Sequence, residues 1–478
     1  MKNFTLLILL LFFTINSFSQ KKQKNYDEAF KIIEVWLEAQ KDFEKLPGIS
    51  AVIVKDQEIL WSGAFGKSNI EDDVDATAST LCSICSISKL FTSVAIMKLY
   101  DDGKLRLDDE LKDVLPWFSL KQQYSDSGPI TIRSLLTHSS GLPRQSEVAY
   151  WSAPDFPFPT LDEMKAAMKS QETLYPASNN FQYSNLALSL LGEVVAEISG
   201  MPYEEYVTEH ILDPLKLKDT RPSMPKDLHG KELAMGYSAL DRKHNREEVP
   251  LFDAKGITPA AGFSSNVLDL ARFASWQFRL RDTIAKEILK PSTLKNMHNV
   301  HWTNPDFDLT WGLGFSVYKG DDGAKWVGHG GSCPGYRSTL QLNLKSKMAY
   351  SVMINAGGTN PGKYLRGIHA IIGKIEVVSN SESESEPKVN LNDYVGYYSG
   401  QPWGSESYIG TWNGKLVSLR LPSDNPIKGV TMYKHIEGDT FKRMKKNGEL
   451  GETMVFERNK DGNVYRGKSH QNYSMKMK

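Results

Sequence analysis

The sequence predicts a mixed α/β domain, an antiparallel sheet flanked by helices with a helical lobe beside it, followed by a small all-β module. Three observations predict this. A helical pattern followed at once by a hairpin opens the chain, and strongly apolar helices occupy its middle. Beyond a serine- and glutamate-rich stretch the pattern changes to short alternating strands with tight turns. A chain of 478 residues also exceeds what one ordinary core supports, so two folded units are expected.

Taken in order, residues 1–19 read as a cleavable leader. Lys2 precedes an apolar run from Phe4 to Phe13, and small polar residues follow it. The run is too short to span a bilayer comfortably, and no later stretch is apolar enough to do so. The expectation is an exported, periplasmic or secreted chain with no membrane span once the leader is removed. Residues 20–377 form the main domain. In it Ala29, Phe30, Ile33, Trp36 and Leu37 recur at helical spacing, and the helix ends near Pro47. Strands follow at Ile49 to Val54 and Ile59 to Phe65 around a polar turn. A helix over 86–101 is apolar on most sides and therefore buried, with Gly103 placed to stop it. A second begins near Asn185 and closes at Gly200. Two more strands flank the turn Lys345-Ser346-Lys347.

Residues 378–389, with Ser381-Glu382-Ser383-Glu384-Ser385-Glu386, have nothing to bury and read as a solvated linker. Residues 390–478 carry Asn413-Gly414, Asn447-Gly448 and Asp461-Gly462, which supply the positive φ angles of two-residue hairpins and point to an antiparallel barrel or sandwich. Lysine plus arginine and aspartate plus glutamate both number 57, so no net field draws the chain to nucleic acid or an anionic membrane.

Three short segments carry chemistry. Ser86-Ile87-Ser88-Lys89 is an S-x-x-K sequence, and on a helix its serine and lysine share one face. Alone it reads as an exposed helix start. Here it opens an apolar helix, where an idle serine and lysine would be out of place. Serine needs a neighbouring base before it becomes a nucleophile. Tyr183-Ser184-Asn185 precedes the second buried helix, and in extended chain its tyrosine and asparagine point the same way. Ionising a free tyrosine at neutrality costs about 4 kcal/mol. One ammonium nearby returns roughly that at an effective dielectric of ~20, so Lys89 nearly suffices to make Tyr183 a base. His329-Gly330-Gly331-Ser332 leads into a strand, and two strand glycines are explained if a substrate docks against the backbone. The amides of Ser86 and Ser332 are then candidates for an oxyanion hole. The cysteines Cys82, Cys85 and Cys333 are odd in number, so at most one disulfide forms within the chain; the residues leave its pairing open.

These segments together resemble the serine β-lactamase family, which includes class C β-lactamases, penicillin-binding proteins such as D,D-peptidases, D-aminopeptidases and related esterases. The match is ordered: S-x-x-K at 86–89, Y-x-N at 183–185, and H-G-G at 329–331 where members carry K-T-G or H-x-G. Thr137-His138-Ser139-Ser140-Gly141-Leu142 and Ala261-Gly262-Phe263-Ser264-Ser265 are also similar to the family. The resemblance covers roughly residues 30–375, and Tyr394-Val395-Gly396-Tyr397-Tyr398 is similar to β-barrel modules appended to some members.

The resemblance implies a serine hydrolase in which Ser86 is acylated, Lys89 and Tyr183 move protons, and Asn185, Gly330 and Gly331 bind the substrate. His329 positions the substrate and tunes Tyr183, and the segment between Gly103 and Pro176 forms the helical lobe. His329 stands where efficient β-lactamases carry lysine, so the charge that holds a β-lactam carboxylate is absent or pH-dependent. The resemblance therefore favours an ester or a D-amino-acid peptide as substrate, with a true β-lactamase as runner-up. A non-hydrolysing domain that recognises cell-wall peptides or β-lactams is the alternative from another class, and intact Ser86, Lys89 and Tyr183 weigh against it. No glycine-rich phosphate loop implies a nucleotide cofactor, and His298 and His301 lack a third metal ligand. The expected partner is a small-molecule or peptide substrate, with no nucleic acid, and the sequence sets no oligomeric state.

Overall fold

A computed structural model of the protein describes residues 26–148, 150–378 and 389–477; the expected leader and the linker residues 379–388 lie outside the described residues. The chain divides into two compact units. The larger runs from Trp36 to His369 with Pro422–Asp424, and the smaller joins the residues up to Val35 with Ala370–Leu421 and Asn425–Lys478.

The larger unit is built on a nine-stranded antiparallel sheet. Its strands are β1 (Gly48–Lys55), β2 (Glu58–Asn69), β3 (Val74–Asp75), β4 (Trp302–Thr303), β5 (Thr310–Trp311), β6 (Ser316–Lys319), β7 (Lys325–Cys333), β8 (Tyr336–Asn343) and β9 (Met348–Ile354). Their order is β3-β2-β1-β9-β8-β7-β6-β5-β4. The central strands β1 and β9 are buried nearly throughout, which is why they read as continuous apolar runs and not as alternating ones. The two faces part at β9. Ala349 and Met353 join the main core, while Tyr350 on the other face meets His369 of the helix Pro361–Val378 at 2.9 Å.

Two helices form the heart of the core beside the sheet: α1 (Ser88–Asp101), entered through a 3-10 turn at Cys85–Ile87, and α2 (Asn185–Ser199). α1 is apolar on nearly every side, so it packs all round. α2 starts where the Ser184 hydroxyl accepts from the Ala187 N–H, and it ends at Gly200 in the left-handed region (φ 72°). The helical lobe differs from expectation. Among the described residues between Gly103 and Pro176, three short helices form, Leu111–Val114, Ile132–Leu136 and Leu161–Met168, joined by irregular chain. That segment's apolar residues anchor loops into the core without a sustained period.

In the smaller unit, eight strands from Gly396 to Met475 pair in sequential order, and a bridge between Tyr398 and Lys476 nearly closes them into a barrel. Tyr394, Tyr398, Phe441 and Phe456 fill it. Asn413 and Gly414 both take positive φ, as a two-residue hairpin turn requires. At the other two turns only Gly448 and Gly462 do. These are longer loops, closed by Lys445 N–H to the Glu449 carbonyl and Asn459 N–H to the Asn463 carbonyl, so Asn447 and Asp461 need no unusual backbone.

Candidate active site

The 3-10 turn brings Ser86 to the first turn of α1 and Lys89 one turn on. Cys85, just before the serine, sits in the left-handed region (φ 51°), a conformation residues with side chains hold only where surroundings impose it. Here the surroundings are explicit. The Ser88 hydroxyl donates to the Cys85 carbonyl (2.6 Å) and accepts from the Phe263 N–H (3.1 Å). The Ile84 N–H donates to the Phe263 carbonyl (2.9 Å), and the Ser338 hydroxyl donates to the Ile84 carbonyl (2.9 Å). The Ala261–Ser265 stretch is thus a buckle behind the serine turn.

Lys89 is 1% exposed, and its Nζ has three neighbours: the Ala260 carbonyl at 2.7 Å, Asn185 Oδ1 at 2.8 Å and Ser86 Oγ at 3.2 Å. Burial, and secondarily the Arg144 guanidinium, hold this amine well below its ordinary pKa. A neutral amine has two N–H groups and one lone pair. In that neutral form the two fixed acceptors, Asn185 Oδ1 and the Ala260 carbonyl, take the N–H groups, which leaves the lone pair for the Ser86 hydroxyl.

Tyr183 packs against His138 with ring centroids 4.4 Å apart, and Lys89 Nζ lies 4.9 Å and the Arg144 guanidinium 5.0 Å from its ring. Burial pushes its phenol up to about 12, with a hydrogen bond to Ser86 pulling weakly the other way. Tyr183 therefore stays protonated at neutrality. The burial that raises the phenol also disfavours the Lys89 ammonium expected to ionise it.

His329, on β7, is buried and donates from Nδ1 to the Gly330 carbonyl at 2.6 Å, which fixes Nε2 as the acceptor nitrogen. Burial holds the ring down to about 3, so His329 is neutral across the physiological range and provides no pH-dependent charge. Its Nε2 has no hydrogen-bond partner among the described residues. The two strand glycines separate in purpose. A side chain on Gly331 would collide with the Ile84 carbonyl and the Ser338 hydroxyl, so that glycine lets the serine turn pack on β7. A side chain on Gly330 would meet nothing closer than 3.7 Å, and this is the glycine that leaves room in the cleft.

Ser86, Tyr183, His329, Gly330, Gly331 and Ser332 line one cavity of about 510 Å³, and Asn185 lines an adjoining chamber of about 460 Å³ that also reaches Ser86. The expected site residues therefore converge. A disulfide between Cys85 and Cys333 (Cα–Cα 5.7 Å) ties the serine turn to the end of β7, while Cys82 remains a buried free thiol.

The residues also reveal what sequence reasoning missed. Arg144 and Arg337 line both chambers, and no carboxylate of the described residues pairs with either. Arg337 contacts the Ser332 hydroxyl. His138, whose Nδ1 accepts from the Ser184 N–H (3.2 Å), holds the Tyr183 segment in place. Its only sequence signal is its place in the Thr137–Leu142 stretch.

A serine at a helix start with a buried lysine one turn on, facing a tyrosine and an antiparallel strand, defines the serine β-lactamase class of fold. The chain belongs to the Beta-lactamase family, whose family model matches residues 36–371. It is 27% identical to Beta-lactamase-like protein 2 of Dictyostelium discoideum over 71% of this chain and 61% of that protein. The chain spans about three fifths of the length of the curated relatives it matches first. Among solved structures it resembles the octameric penicillin-binding protein homologue from Pyrococcus abyssi, with 25% identity and a TM-score of 0.63 over 94% of this chain and all of that one. It shares its fold with a D-stereospecific amidohydrolase from Streptomyces, with 22% identity and a TM-score of 0.56 over 70% of this chain and 97% of that one. No helix among the described residues is long and apolar enough to cross a membrane.

Proposed function

We propose that the chain is an exported serine hydrolase that works through an acyl-enzyme on Ser86, acting on an ester or on an amide such as a D-amino-acid peptide. The observation that carries this reading is Lys89, a buried amine held by Asn185 Oδ1 and the Ala260 carbonyl with its Nζ 3.2 Å from Ser86 Oγ. A base held in that form needs no reorganisation when the reaction begins.

Lys89 takes the Ser86 proton as Oγ attacks the carbonyl carbon. The resulting oxyanion is stabilised by the amides of Ser86 and Ser332. Lys89 is now an ammonium, with its third N–H turned toward Ser86. Tyr183, protonated and hydrogen-bonded to Ser86, hands a proton to the leaving group and recovers one from Lys89. Water then repeats the sequence to release the acyl group. Asn185 spends its Oδ1 on Lys89, which leaves its amide N–H groups for a substrate carbonyl. His329 Nε2 accepts from a substrate N–H, and Arg144 and Arg337 favour a substrate with an anionic group. Those guanidiniums also give the β-lactamase reading its support, since they supply the positive charge that a neutral His329 does not.

Export rests on the leader-like residues 1–19 and on the disulfide, which suits an oxidising compartment. Cell fractionation with N-terminal sequencing tests it; a protein confined to the cytoplasm with residues 1–19 intact would overturn it.

The mechanism is tested by p-nitrophenol release from a short-chain ester. The wild type should give a burst equal to one nitrophenol per active site, and Ser86→Ala should lose it with at least ~10³-fold of the turnover. Equal turnover in both proteins removes Ser86 from the mechanism. D-peptides and β-lactams then rank the substrate classes.

A further inference from the structure

The Cys85–Cys333 disulfide joins the residue before Ser86 to the residue after Ser332. These serines are the two expected sources of oxyanion-hole amides, and they come from opposite walls of the cleft. Cys85 carries the peptide bond whose N–H belongs to Ser86, and it holds a left-handed backbone that a free cysteine seldom keeps. Of the two cysteines, Cys333 is the one that borders the chamber beside the nucleophile, 6% exposed against 0% for Cys85, so a small thiol entering from the cleft meets it first. The remaining contacts between the walls, the Ser338 hydroxyl on the Ile84 carbonyl and Gly331 against the same turn, do not depend on the disulfide.

We propose that the Cys85–Cys333 disulfide is a redox-cleavable brace that aims the oxyanion-hole amides, so that a small dithiol slows acylation of Ser86 without unfolding the protein. This rests on the acyl-enzyme reading above. The dithiol's thiolate attacks Cys333 Sγ, the S–S bond breaks, and Cys85 leaves as a thiolate that takes up a proton. The dithiol's second thiol attacks the mixed disulfide and releases the Cys333 thiol. The dithiol ends as a cyclic disulfide, having supplied two electrons and two protons. Cys82 offers no competing exchange, since burial pushes its thiol up to about 12. Both cysteines are positioning residues: they touch no substrate and act through the amides beside them.

The test measures single-turnover acylation by a p-nitrophenyl ester before and after treatment of the folded protein with dithiothreitol, with thiol titration to count cleaved bonds and near-ultraviolet circular dichroism to follow tertiary packing. Reduction should release two thiols and lower the acylation rate roughly ten- to a hundredfold, the cost of displacing a reacting group by a fraction of an ångström to one ångström. KM should stay within about twofold, tertiary packing should persist, and oxidised glutathione should restore the rate. Cys85→Ser/Cys333→Ser should match the reduced wild type and resist rescue, while Cys82→Ala should respond to dithiothreitol as the wild type does. Equal acylation rates with two thiols released would overturn the brace. So would a loss that tracks the loss of tertiary packing, which marks a structural staple only. A wild type that is never acylated in the oxidised state instead defeats the acyl-enzyme reading on which the brace depends.

Discussion

On the helix side of the cleft the polar groups have internal partners. Lys89 is held by Ala260 and Asn185, and Ser88 bonds both forward and back. On the strand side, among the described residues, His329 Nε2 has no partner, Gly330 leaves room in the cleft, and the Arg337 guanidinium meets the Ser332 hydroxyl but no carboxylate. Buried polar atoms normally find partners, so an orphan beside a cavity marks where a ligand's atom belongs. The satisfied wall is suited to run the reaction and the unsatisfied wall to recognise the substrate. The contrast can be broken by variants that strike one wall and change the parameter assigned to the other.

The largest effect is expected at Lys89. Lys89→Met keeps the volume and removes the lone pair, so kcat should fall by at least ~10³-fold while KM moves little. The same variant should flatten the pH dependence of stability. A buried amine whose pKa is lowered on folding binds its proton more readily when unfolded, so wild-type stability rises with pH from the lowered value up to the ordinary lysine range. Wild-type and variant unfolding midpoints, measured between pH 7 and 10, should converge as the pH rises. A burst retained in Lys89→Met would sink the assignment of the base.

Next is the seam between the walls. Gly331→Ala drives a methyl into the Ile84 carbonyl, which belongs to the turn that aims Ser86. Steady-state kinetics should show kcat down about 10²-fold, with a lower Tm. Gly330→Ala meets open space and should keep Tm within about 2 °C, changing KM alone. If the two glycines behave alike, the seam is not where the walls are coupled.

The part of this site that was legible in the sequence is the part set by local geometry. Ser86 and Lys89 share a helical face, and Ser184 caps the helix that carries Asn185, so spacing alone brought those groups into register. That the 86, 183 and 329 segments meet was visible only through resemblance, because no local period reaches across such separations. The rest had no residue-type signal. Ala260 acts through a main-chain carbonyl, which every residue possesses, and Arg337 is an ordinary strand arginine until Ser332 is seen opposite it. The cysteine count limited the chain to one disulfide, yet the pairing across 248 residues is a property of the fold. The helical lobe that the resemblance implied for the middle segment is reduced to short helices joined by irregular chain. The capping boxes Thr131–Ser134 and Thr160–Glu163 do mark where two of its short helices begin.

The smallest expected effects separate the two arginines, which sit in the same cleft on different walls. Arg337→Ala should raise KM about tenfold for a carboxylate-bearing ester and leave a neutral ester within twofold, with kcat unchanged for both, because its charge meets the substrate and not the base. Arg144 lies over Tyr183 and its field helps to lower Lys89, so its loss has a second consequence. Without that positive neighbour the Lys89 pKa rises, less of the amine is neutral at a given pH, and the acid limb of the kcat/KM profile should move to higher pH. Burial, the larger cause, remains in the variant, so the limb should move by only a fraction of the full lowering. Arg337→Ala should leave the limb where it is. A pH profile that shifts for Arg337→Ala and stays fixed for Arg144→Ala would reverse the assignment of the walls.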